Sequence, residues 1–269
     1  MSILKQKHGR HFEFNFDFKL AVVLSCHQLI NHFKELSRQM KTLSVIIPVF
    51  NELKTIKQAV NSVKKSRLPG YKKQIIIVDD GSTDGTRNIL KTLSRKDRTL
   101  TIVFKDKNGG KGSAIREAIR YIKSDFTIIQ DADMEYDPAD FVHLLAPIEQ
   151  GHADVVYGSR FLGGAHRSFL FWNYIANKIL NFTTNLLYNT LLTDMETCYK
   201  MFRSDVFKGL NLRSNGFEIE PEITAKILKK KYRIYEVPIS FYGRGYSDGK
   251  KIKAIDGFKA LWTLIRYRF

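Results

Sequence analysis

The chain predicts an α/β protein built on a mainly parallel, doubly wound sheet flanked by helices. Three observations carry this expectation. Short apolar runs alternate with helix-period segments from Leu43 onward. Nearly every run ends in a turn rich in Gly, Asp or Asn. The 269 residues, 43% hydrophobic, are enough for one large core with appendages.

Taken in order, residues 1–39 mix aromatics, His and Lys without a period, and are read as an extension outside the core fold. An N-terminal helix packed on the domain is the alternative. The composition changes at Met40, where a main domain over 40–250 begins. Leu43–Val49 reads as a buried strand, and Glu52–Ser66 as a helix closed by Leu68, Pro69 and Gly70. Gln74–Val78 is a second strand, followed by the turn Asp80–Gly85 and a helix over Thr86–Arg95. Leu100–Phe104 is a third strand, after which Asn108–Gly112 opens a helix. Phe126–Gln130 is a fourth strand, and Pro138 opens the next helix at its first position. Asp154–Tyr157 is a fifth strand. Such an order demands right-handed crossovers and a mainly parallel sheet.

The second half is less regular. His166–Leu192 carries Phe169, Trp172, Ala176, Ile179, Phe182 and Leu186 at intervals of three or four. A further helix follows Pro221, and Ile234–Ile239 is a last strand. Residues 251–269 form a C-terminal basic amphipathic helix, with Ile255, Phe258, Leu261, Trp262 and Ile265 on one face.

The formal charge is +17, and the segment 226–269 holds 12 Lys and Arg against 3 Asp and Glu. Anionic lipid or phosphorylated substrates fit this charge. No nucleic-acid motif accompanies it, so no nucleic-acid partner is expected. Spanning a bilayer needs about 20 apolar residues. The best uncharged run, Ile179–Thr193, is studded with Asn and Thr, so no transmembrane helix or signal peptide is expected. Cys26 and Cys198 fit neither a disulfide framework nor a metal spacing, and read as free thiols in a reducing compartment.

In an open parallel sheet, ligands bind beyond the carboxyl ends of the strands. Four clusters fall there: Pro48–Glu52, Asp79–Asp84, Asn108–Gly112 and Asp131–Glu135. Asp131 and Asp133, two apart after an apolar strand, can point into one cleft. There they would repel unless a hard divalent cation, Mg²⁺ or Mn²⁺, joined them, with Glu135 as a third oxygen. Such an ion would offset charge on a departing diphosphate. Asp80 can accept from a base or close a turn. The helix opened by Lys111 offers free N–H groups to an anion or a plain cap, and its sequence is not a P-loop.

The segments IIPVFNE, IVDDGSTDGT, NGGKGSAIREA, DADMEYDP and YGSRFLGG, in this order, resemble family 2 inverting glycosyltransferases of the GT-A fold. The resemblance is strongest to dolichyl-phosphate mannose and glucose synthases and their prokaryotic polyprenyl-phosphate counterparts, and covers Thr42 to the C-terminus. It implies nucleotide contacts at Pro48, Phe50, Glu52, Val78 and Asp80, and donor contacts at Gln130, Asp131 and Ala132. It implies metal ligation by Asp131, Asp133 and Glu135. It places Arg160 against the phosphates, with Asp133 and Arg160 central to catalysis, and gives Arg244 and Lys250 as a basic pair facing phosphate. Bidentate Arg and point-charge Lys suit those roles. Arg167 is a further candidate for the acceptor phosphate.

The activity so implied moves a hexose from a UDP- or GDP-linked nucleotide sugar to a polyprenyl phosphate. It acts peripherally on the cytoplasmic face of an anionic membrane surface. A phosphate acceptor needs no base; a glycan hydroxyl acceptor, the alternative, would need one, for which Asp194 and Glu196 are candidates. A basic binding module with an inert cleft is the reading from another class. Many relatives carry membrane spans after this point, so a separate membrane protein is kept as a partner. Glu218, Glu220 and Glu222 are read as a solvated helix face, with ion pairing to the basic tail as the other option.

Overall fold

The structure is a computed structural model and describes residues 40–163, 170–243 and 254–269. Lys41–Phe269 form one compact unit. The reading of 1–39, Cys26, and the candidates Arg167, Arg244 and Lys250 lie outside the described residues.

Seven strands form one sheet in the order β3-β2-β1-β4-β6-β5-β7. They are β1 (Lys41–Val49), β2 (Tyr71–Asp79), β3 (Leu100–Phe104), β4 (Phe126–Ile129), β5 (Val155–Ser159), β6 (Lys200–Arg203) and β7 (Ile234–Pro238). The helices are α1 (Ile56–Lys65), α2 (Thr86–Lys96), α3 (Lys111–Ile119), α4 (Phe141–Glu149), α5 (Phe171–Tyr188), α6 (Ser204–Lys208), α7 (Ile219–Lys229) and α8 (Ala254–Arg268). A 3₁₀ turn at Pro138–Asp140 precedes α4.

All contacts among β1, β2, β3 and β4 are parallel, as is β5 with β7. The central strands are apolar on both faces because helices cover both. Along β1, Val45, Ile47 and Val49 enter one core while Ile46 enters the other, the period of two that a pleated strand imposes. On α1, Ile56, Ala59, Val60 and Val63 are buried at helical spacing. The helix stops before Leu68 and Pro69, since the residue preceding a proline avoids helical geometry.

Two findings differ from expectation. β6 lies antiparallel between β4 and β5. Its four residues, KMFR, are too short and too charged to read as a strand. Yet Lys200 is fully buried there, its ammonium bonding Glu220 at 2.5 Å and the Thr197 carbonyl. Second, α7 starts at Ile219, ahead of Pro221. A proline in the first turn removes only an N–H that lacks a helical acceptor.

α5 and α8 pack on each other through Leu180, Ala260 and Leu264, with Met195 between them. The Tyr188 hydroxyl donates to the Leu264 carbonyl at 2.7 Å. Their apolar stripes point outward: Trp172 is 76% exposed, Phe182 69%, Phe258 69% and Trp262 65%. Among the described residues no helix is long and apolar enough to cross a membrane.

Candidate active site

A cavity of about 820 Å³ opens beyond the carboxyl ends of the parallel strands. It lies at the switch point where the chain leaves β1 for β2 on one side and β4 on the other. Pro48, Phe50, Glu52, Asp80, Asp131, Ala132, Asp133, Glu135 and Arg160 all line it. The structure thus gathers most of the expected residues at one place. Val78 and Gln130 are not among the lining residues. Val78 is packed in the core. Gln130 is buried, its amide oxygen accepting from Tyr199 Oη at 2.6 Å.

Asp80 works as a latch. Its carboxylate accepts from Gly110 N at 2.7 Å, from Gly109 N at 3.1 Å and from Lys105 Nζ. It therefore ties the Asn108–Lys111 loop to the end of β2. Gly81 permits the approach, with φ +78° and no room for a Cβ, which would sit 2.7 Å from Asn108 N. Asp79 is held separately, by Arg87 Nε at 2.6 Å and Ser82 N at 3.1 Å. The two adjacent acids have different duties.

Asp131 and Asp133 flank the buried Ala132. Asp133 Oδ1 accepts the Glu135 N–H at 3.2 Å. Met134 between them has φ +65°, uncommon for a bulky residue and a local strain at the cavity wall. Asp131 is ion-paired with Lys111, Nζ to Oδ1 2.9 Å. Among the described residues no three His, Cys, Asp or Glu side chains converge as a ready metal cage. Asp131, Asp133 and Glu135 thus line one wall without forming a three-carboxylate cluster.

Arg160, also in the cavity lining, forks onto Asp194, with Nε to Oδ2 and Nη2 to Oδ1 both 2.7 Å. The Arg160 backbone N–H donates to the same Oδ2 at 2.9 Å. Asp194 is fully buried and its own N–H donates to Glu236 at 3.1 Å. Bound this way Asp194 positions Arg160 and is not placed to act as a base.

The sequence reading did not foresee how 194–199 would reach the site. Because β6 runs antiparallel, the segment leading into it arrives at the edge where the parallel strands end. It brings Glu196 and Cys198 to the cavity lining. Burial pushes the Glu196 carboxyl up to about 7, Lys200 and Arg160 opposing and Glu220 and Asp194 adding to the rise. Its Oε1 has no hydrogen-bond partner. Burial likewise pushes the free Cys198 thiol up. Around Lys111, burial disfavours charge, but Asp131, Cys198 and Glu220 outweigh it and hold the ammonium well above the ordinary lysine range.

Glu220 and Glu222 are buried, not solvated, which corrects the expected exposed helix face. Glu220 sits between Lys200 and Lys111. Glu222 accepts from Ser214 N at 2.6 Å, Lys226 Nζ at 2.5 Å and Tyr267 Oη at 2.9 Å, tying α8 to α7.

Comparison with known proteins agrees with this fold. The family model described as glycosyl transferase family 2 matches residues 44–210. Glycosyltransferase AglJ of Haloferax volcanii is 27% identical over 201 residues, which cover 74% of this chain and 63% of that protein. The chain thus spans less than two thirds of that relative. A UDP-N-acetylglucosamine–dolichyl-phosphate N-acetylglucosaminyltransferase of Methanococcus voltae is 28% identical, over 84% of this chain and 95% of that one. In fold, the chain is similar to glucosyl-3-phosphoglycerate synthase of Mycobacterium tuberculosis, solved with Mn²⁺, UDP-glucose and phosphoglyceric acid. The TM-score is 0.65 at 17% identity, covering 85% of this chain and 80% of that chain. With the match over more than half its length, this chain belongs to glycosyl transferase family 2.

Proposed function

We propose that the protein transfers a hexose from a UDP- or GDP-linked sugar to a polyprenyl phosphate at a membrane surface, inverting the anomeric carbon. One observation carries this reading. The acidic pair and Arg160 line one cavity that is also lined by the two helices with outward apolar stripes. The Methanococcus voltae relative, named for transfer to dolichyl phosphate, supports the choice of acceptor.

The donor set suits Mg²⁺ or Mn²⁺: hard oxygens from Asp131 and Asp133, with Glu135 on the same wall. Two carboxylates leave coordination positions for a diphosphate. When bound, the ion offsets negative charge on the leaving nucleoside diphosphate. The remaining work falls to the chain itself. Arg160 has Nε and Nη2 engaged by Asp194 and Asn177, and its guanidinium lines the cavity, where it can meet an anion. The Asp194 fork fixes that guanidinium, so its alignment is settled before substrate arrives. Pro48, Phe50, Glu52 and Asp80, the residues assigned to the nucleotide in this reading, line the cavity. Trp172, Ala176 and Leu180 of α5 and Gly257 and Ala260 of α8 also line it, on the helices that carry the outward apolar stripes. An acceptor whose phosphate is polar and whose tail is lipid would enter there from an interface. A phosphate monoester is already anionic near neutral pH, so its attack needs no base.

A second reading, transfer to a glycan hydroxyl, is favoured by Glu196. Its unpartnered oxygen and its pKa of about 7 suit a general base. One assay separates the two. Protein, Mg²⁺ or Mn²⁺ and a panel of labelled nucleotide sugars are incubated with polyprenyl phosphate or with the free alcohol, and lipid is extracted. Label is expected in the phosphate arm alone, with Asp133→Ala lowering it about 10²–10³-fold. Equal labelling of the alcohol overturns the phosphate acceptor, and full activity of Asp133→Ala overturns the role of the acidic pair.

A further inference from the structure

Lys111 opens α3 and pairs with Asp131 of the acidic pair, its side chain only 10% exposed. Its ammonium is 2.9 Å from Asp131 Oδ1, 3.2 Å from Asp131 Oδ2, 3.2 Å from Glu220 Oε1 and 2.6 Å from Cys198 Sγ. Glu220 in turn holds the buried Lys200. The row Asp131, Lys111, Glu220, Lys200 alternates in sign and sums to zero charge. Water does little to screen it, so each charge feels its neighbours strongly.

Placing a divalent cation on Asp131 and Asp133 disturbs this balance. The cation competes with Lys111 for Asp131 and meets a like charge a few ångströms away. A diphosphate arriving with the cation restores the missing negative charge and gives the ammonium a new partner. The cation alone is therefore disfavoured, and the cation with a diphosphate is not.

We propose that Lys111 is the resident counter-cation of the acidic pair: it holds Asp131 while no donor is bound, turns to the diphosphate when one enters, and so makes divalent-cation and nucleotide binding depend on each other. This rests on the metal-assisted reading above. Lys111 is a positioning residue in that scheme. If it only balanced Glu220, its removal would not alter the coupling between the two ligands.

Mn²⁺ binding to the full chain, read from the free-ion paramagnetic resonance signal, tests this, alone and with saturating UDP or, separately, GDP. For the wild type, one of the two nucleotides is expected to tighten Mn²⁺ binding at least about tenfold. In Lys111→Met, Mn²⁺ alone is expected to bind several-fold tighter than in the wild type, with the coupling reduced below about threefold. Lys111→Gln, which keeps a hydrogen-bond donor without charge, is expected to match Met, and Lys111→Arg to keep the coupling. Unchanged coupling in the neutral variants overturns the proposal and leaves the metal site standing. No Mn²⁺ binding to the wild type with either nucleotide overturns both. The wild-type arm decides even where a variant fails to fold, because Mn²⁺ binding there without coupling overturns the proposal.

Discussion

Glu196 puts a titratable group with a displaced pKa inside the cavity, and the sign of its effect on stability can be worked out. Its folded pKa is about 7, against 4.5 for the ordinary group. A raised carboxyl contributes stability that is complete below the unfolded value and lost as pH rises through the folded one. Glu196→Gln, which cannot ionise, is expected to match the wild type near pH 4 and to exceed it at pH 8 by about 2–3 kcal/mol. Urea denaturation across pH, without divalent ions, reads this directly. An advantage that shrinks toward pH 8 refutes the burial argument. At this scale the sequence was informative where chemistry follows spacing. Asp131 and Asp133 stood out because two acids, two apart after an apolar strand, face one cleft. Glu220 and the role of Lys111 did not, and Glu196 was named only as one of two candidate bases, because their meaning comes from burial and from partners distant in the chain. Lys200 is the extreme case, since a lysine reads as solvated until its buried partner Glu220 is known.

Among elements, the parallel half was legible and the antiparallel insertion was not. β1 to β4 are separated by helix-period segments with strong turn signals, and their order follows from right-handed crossovers. β6 has four residues and no alternation, so nothing local marks it. Its direction brings Glu196 and Cys198 to the cavity lining and Asp194 to Arg160. The latch between β2 and α3 is a similar case of elements meeting at the edge. Gly81→Ala would place a side chain at φ +78° and drive its Cβ to 2.7 Å from Asn108 N, a backbone atom with little freedom to shift. The variant is expected to lose about 2–4 kcal/mol of stability in denaturant unfolding. It is also expected to weaken nucleotide binding, since the Asn108–Lys111 loop depends on Asp80. A variant as stable as the wild type would mean that the loop can retreat without cost.

For the whole molecule, the amphipathic pattern was visible in sequence, but its direction was not. A stripe at helical spacing is ordinarily core. Here Trp172, Phe182, Phe258 and Trp262 face outward, while the smaller cluster of Leu180, Ala260 and Leu264 holds α5 to α8. Only the packing distinguishes the two arrangements. The same two helices line the cavity, so an apolar outer face and a polar inner site share one wall. Basic residues Lys178, Lys259, Arg266 and Arg268 lie on these helices and suit anionic headgroups. The protein is therefore expected to float with liposomes containing anionic lipid, and less at high salt, because the electrostatic share is screened. Removing aromatic burial should act independently of salt. Each large side chain contributes about 1.5–3 kcal/mol when fully buried. Phe182→Ser with Trp262→Ser is thus expected to lower partitioning at least about tenfold while leaving thermal stability near that of the wild type, since both residues are exposed. Asp133→Ala, altered only in the cavity, is expected to float as the wild type does. Failure of the wild type to float at low salt would refute the interfacial assignment, and would turn attention to a protein partner for the same exposed stripe.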